Sequence, residues 1–109
     1  MRLQGKWRIV ETALWDRDYL DLSGPAFIEI DDKGNAEMAY GAMNASLDIG
    51  YTPSGIDFGW SGGDEGDHVE GTGWAELQTD GSLIGEISYL NGDETTFKAI
   101  PWPTSSTPC

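Results

Sequence analysis

The residue types with the most chemical potential sit in one short run, Asp64-Glu65-Gly66-Asp67-His68, with Glu70 just beyond. Carboxylates and backbone carbonyls suit a hard cation such as calcium. The spacing does not follow the D-x-[DN]-x-[DN]-G calcium-loop pattern, so a solvated acidic loop spanning Ser61 to Glu70 is the plainer reading. A single histidine with no cysteine or second histidine nearby does not make a zinc site. Glu11, Glu29, Glu37, Asp48, Asp57, Glu76 and Glu86 fall in strand-like sequence. Two of them turned inward would form an acid–base couple with separated pKa values, but alternation sends most of them to water. Ser61, Ser88 and His68 have no nucleophile-elbow context, and no phosphate-cradling glycine loop precedes a helix. The reading is therefore a non-enzyme with no metal or cofactor.

Tryptophan is the other conspicuous type. Trp7, Trp60 and Trp74 are expected in the core, because each removes a large apolar area from water. Trp15 and Tyr19, in the irregular segment ALWDRDYLDL, are better placed for an exposed contact, while Trp102 between two prolines is expected in local packing or exposed. The candidate binding set is Trp15, Tyr19, Asp64, Glu65, Asp67 and His68.

Strands must position these groups. Period-two alternation marks Gly5 to Thr12 (Trp7, Ile9 and Glu11 on one face), Ala26 to Ile30, Asn35 to Ala42 and Ala45 to Thr52. It continues from Ile56 through Phe58 and Trp60, then over Glu70 to Thr79, Ser82 to Leu90 and Thr95 to Ile100. Asp31 to Gly34, Met43-Asn44, Pro53-Ser54-Gly55, Asp80-Gly81 and Asn91-Gly92 supply the turns. Ala13 to Leu22 breaks the alternation and reads as one or two helical turns capping an open end, stopped by Ser23-Gly24-Pro25. Eight short antiparallel strands in chain order predict an all-β, up-and-down barrel, with a two-sheet β-sandwich as the alternative. Residues 1–100 form that domain, and the Pro/Ser/Thr-rich 101–109 reads as a loose tail.

At 109 residues the chain supports one core. Six basic residues against nineteen acidic ones leave a formal charge of −13. That balance disfavours direct contact with nucleic-acid phosphates, since few cations are present to release counterions. A partner with a basic surface, or a small ligand, fits better. The lone Cys109 and the absence of an apolar leader or spanning run predict a cytoplasmic chain that stays off the membrane.

Gly5-Lys6-Trp7 at the first strand resembles the GxW signature of lipocalins and other calycins. That resemblance implies an eight-stranded barrel whose tryptophan plugs the closed end beneath a cation from the last strand, here Lys98. The whole chain looks more like a family of small bacterial proteins with LxGKW, WDxDYxDL-like, GWxGxDExD, GxGWA and late GD-F segments in order. These are Leu3 to Trp7, Trp15 to Leu22, Gly59 to Asp67, Gly71 to Ala75, and Gly92-Asp93 with Phe97. Neither resemblance brings an activity. The expected function is a binding or interaction domain that meets its partner where Trp15 to Leu22 and Ser61 to Glu70 share a rim. The alternatives are an acidic inhibitor of phage or anti-defence type that imitates nucleic acid on a basic enzyme, and a lipocalin-like small-molecule carrier.

Overall fold

A computed structural model describes residues 5–13, 17–22, 24–31, 33, 35–90 and 92–102. Eight strands close in chain order: β1 (Gly5–Thr12), β2 (Phe27–Ile30), β3 (Asn35–Tyr40), β4 (Met43–Tyr51), β5 (Gly55–Asp64), β6 (Asp67–Leu77), β7 (Leu83–Tyr89) and β8 (Glu94–Pro101). Each pairs antiparallel with its neighbours, and β1 pairs with β8, so the sheet is a closed up-and-down barrel and not a two-sheet sandwich. Closure leaves no strand without a partner on either side, which removes the edges that template aggregation.

Alternation decides the interior. Trp7, Ile9, Ile28, Ile30, Met38, Tyr40, Met43, Leu47, Ile56, Phe58, Trp60, Leu83, Ile87 and Phe97 are all buried. Two of the rings lie over glycines paired directly opposite them on the adjacent strand, Phe58 over Gly73 and Phe97 over Gly85. A Cβ on Gly73 would stand 2.5 Å from the Phe58 ring, and one on Gly85 would stand 2.7 Å from the Phe97 ring. Glycine at these strand positions forgoes local stability to admit a large aromatic from across the sheet.

One helical turn, α1 (Arg17–Leu20), follows β1. Leu20 is buried, its carbonyl accepts the Gly41 N–H at 2.8 Å, and the turn thereby stops the end of the barrel where β1 finishes and β2 begins. Arg8 donates to Asp21 at 2.8 Å, and the other Asp21 oxygen accepts the Ala26 N–H, so one carboxylate ties β1, the helical segment and the approach to β2.

Four expectations change. The register of β1 against β8 shifts between Ile9 and Glu11, so a bulge at Val10 turns Glu11 outward, opposite Lys98. Trp74 lies on the outer face at 40% exposure, not in the core. Lys98 alternates outward between buried Phe97 and Ala99 while Trp7 points inward, so the two occupy opposite faces of the sheet. The cation–ring contacts form elsewhere, with Lys6 Nζ 4.2 Å from the Trp102 ring centre and 4.6 Å from that of Phe27. Finally, β8 runs to Pro101 and the Trp102 N–H donates to the Lys6 carbonyl, so the chain stays bound two residues past the expected boundary. The rest of that tail, 103–109, and Trp15 lie outside the described residues.

Gly73→Ala is expected to destabilise the fold by about 1–3 kcal/mol through overpacking against Phe58. Gly59→Ala, where the nearest atom to a new Cβ is 3.9 Å away, should change stability by less than about 0.5 kcal/mol. Urea unfolding of both variants checks this, and equal losses would remove the packing explanation.

Candidate functional site

The sequence pattern suggested a loop from Ser61 to Glu70, but the chain builds a hairpin there instead. Strands β5 and β6 pair without interruption up to Asp64 opposite Asp67, leaving only Glu65-Gly66 to turn. Both turn residues have positive φ, 53° at Glu65 and 90° at Gly66. That matches the tight two-residue hairpin in which glycine takes one left-handed position. Glu65 occupies the other, a conformation that costs a non-glycine residue about 1–2 kcal/mol. The Glu65-Gly66 dipeptide was the available sequence signal.

Extension into a hairpin spreads the carboxylates apart. Asp64 continues the inward parity of Phe58, Trp60 and Gly62, and it is partly shielded. Glu65, Asp67, His68 and Glu70 are exposed. His68 and Glu70 approach to 3.5 Å on the outer face, a solvated contact of little energy. Among the described residues no three His, Cys, Asp or Glu side chains converge as a metal site would require.

At the same end α1 brings Tyr19 against the β3–β4 turn. A Cβ on Gly41, whose φ is 59°, would lie 2.6 Å from Tyr19 Cζ, so the phenol ring rests directly on that glycine. Tyr40 and Tyr89 share a hydrogen bond of 2.6 Å between their hydroxyls. Trp60 meets Tyr89 edge to face at 4.9 Å, and its indole N–H donates to the Thr72 carbonyl. Burial first, and then the Asp64 carboxylate, raise the Tyr19 pKa. Burial raises Tyr89 as well, opposed by the hydrogen bond from Tyr40 and reinforced by Asp64. Tyr40, 2% exposed, is raised furthest, by burial and then by Tyr89. All three phenols are protonated at neutral pH. They offer hydrogen-bond donors beside a carboxylate, and no base.

Of the candidate residues, the structure brings Tyr19, Asp64 and Glu65 into electrostatic reach of one another. It sets Asp67 directly opposite Asp64 and His68 opposite Gly63, both exposed on the second arm of the hairpin. Tyr40, Tyr89 and Leu90 were missed, because nothing local marks a residue of β3, one of β7 and one in the turn after β7 as neighbours of the β5–β6 hairpin. Leu90 is 76% exposed and its N–H donates to the Glu70 carbonyl. With His68, Val69, Glu70 and Tyr89 it lines a shallow depression of about 320 Å³. Leu22, 60% exposed, follows α1 at the same end of the barrel. The strand carboxylates named above occupy the outer wall, exposed except for the half-buried Glu86.

No family model, curated protein or solved structure matches the chain. Among the described residues no helix is long and apolar enough to cross a membrane.

The raised phenol pKa values carry a sign. A tyrosine whose folded pKa lies above its unfolded value of about 10 adds stability that is complete below pH 10 and lost as pH rises further. Above that point each phenol held neutral costs the fold up to about 1.4 kcal/mol per pH unit. Tyr40→Phe is therefore expected to lose less stability than the native protein between pH 9 and about 11. Denaturant midpoints across that range test this, and parallel declines would show that Tyr40 is not the group responsible.

Proposed function

We propose that this protein is a non-enzymatic binding domain whose capped rim engages a partner with a basic surface. The observation that supports the reading is that the helical turn bearing Tyr19 and the acidic β5–β6 hairpin lie at one end of the barrel, near enough for the Asp64 and Glu65 charges to act on the Tyr19 phenol. Exposed Leu22 and Leu90 add apolar anchors at the same end. Phenol donors, carboxylates and isolated aliphatic groups together suit a protein surface better than a reacting small molecule. A net charge of −13 favours fast association with a basic partner.

A second reading is supported by the wall. Glu29 faces Glu37 directly across β2 and β3, a like-charge pair that costs stability. Carboxylates arrayed around a cylinder suit an acidic inhibitor that occupies a nucleic-acid site on a basic enzyme. The carrier reading has less support, because large side chains occupy the barrel interior.

The test is affinity capture followed by quantitative binding to the partner so identified. Tyr19→Ala, Asp64→Asn and Leu90→Ser should each weaken that complex about fivefold or more, with thermal midpoints close to native. Tyr51→Ser, at the opposite end, should bind as the native protein does. Full binding by the rim variants would reject the rim. Displacement of the partner by duplex DNA would favour the inhibitor reading, and indifference to DNA the plain interaction domain.

A further inference from the structure

The alternation of β6 leaves a large aromatic group in an unusual place. Val69, Gly71, Gly73, Ala75 and Leu77 take the inward positions, so Trp74 stands on the outer wall with 40% of its surface in water. Its cross-strand neighbours are Asp57 on β5 and Glu86 on β7. Such directly opposed side chains have Cβ atoms about 5 Å apart. On its own strand the same face carries Thr72 and Glu76, each two residues away. Acidic residues thus hold three of the four same-face positions around Trp74.

We infer that Trp74, Asp57, Glu76 and Glu86 form a receptor for an arginine side chain on a partner protein, separate from the rim. An indole face attracts a cation, and guanidinium stacks on it flat while its edge N–H groups donate to carboxylates. Ammonium offers only a point charge and cannot do both. Among the described residues every cation–ring contact falls on Phe27 or Trp102, and none falls on the Trp74 ring. The surrounding groups are available. Asp57 and Glu76 are exposed, and the Glu76 carboxylate accepts only a long 3.3 Å bond from the Ser54 hydroxyl. Asp57 Oδ1 leans over Gly50, 3.0 Å from where a Cβ would stand. Asp57 is exposed, so binding of a guanidinium on the indole would draw its carboxylate from Gly50 toward β6 by side-chain rotation. The position lies seven residues along β6 from Asp67, about 23 Å from the hairpin turn at strand rise. A single arginine reaching the wall therefore does not depend on the rim contact.

Calorimetric titration with a tetra-arginine peptide at low salt tests the site. Charge-neutral Trp74→Leu should weaken binding about three- to fivefold, and Trp74→Phe should recover part of the loss. Asp57→Asn/Glu86→Gln should weaken it by at least as much. Glu29→Gln/Glu37→Gln removes equal charge from elsewhere on the wall and should change affinity less than about twofold. Tetralysine should bind more weakly and ignore Trp74→Leu. Native affinity in Trp74→Leu, equal losses in the two charge-matched double variants, or equal sensitivity with tetralysine would each overturn the proposal. Thermal midpoints near native confirm that the variants fold.

Discussion

The structure depends on one packing constraint: the aromatic rings of β5 and β8 need room inside a narrow barrel. Phe58, Trp60 and Phe97 are bulky and buried, and the strands they cross carry glycine where the rings arrive. Protein interiors tolerate neither a void nor an overlap at that scale. Large residues on one strand therefore require small ones on the next. The same pairing lets the sheet coil sharply enough for eight short strands to close within this chain length.

That constraint propagates to the surface. Filling the interior from β5 and β8 leaves no space for a tryptophan from β6, so Trp74 turns outward while its smaller neighbours turn in. The bulge at Val10 acts similarly on β1, placing Glu11 opposite Lys98 where the unbroken period would have sent it toward apolar side chains. With large side chains occupying the interior, the accessible surfaces are the outer wall and the ends. The end capped by α1 is the better equipped, because Tyr19, the Asp64-Glu65 pair and Leu90 come from three different connections that share it.

Electrostatics shapes the rest. Thirteen uncompensated negative charges repel one another and are tolerated because the carboxylates point to solvent from a curved wall. The few described cations are used locally. Arg8 is tied to Asp21, where it fixes the helical segment to β1, and Lys6 rests over Phe27 and Trp102 at the chain's exit from β8. A surface this acidic, with phenol donors and an exposed indole among the carboxylates, is chemically complementary to basic polypeptide.

The chain's own pattern determined the number and order of strands, most of the turns, the short cap and most of the inward set; the turn expected at Met43-Asn44 falls instead at Gly41-Ala42, and Met43 opens β4. Alternation and turn dipeptides are local properties, written within a few residues of where they act. Placement of Tyr19 and the acidic run at one end follows from the antiparallel pairing of all eight strands in chain order, which fixes which turns share an end. Tertiary structure alone decided that the sheet closes, that Ser61 to Glu70 is a paired hairpin, that Trp74 faces water and that Tyr40 meets Tyr89. Each of these is a competition for space or hydrogen bonds between residues far apart in the chain. A period of two states that successive side chains take opposite faces. Which face is inside is settled by the volume the opposing strands have left.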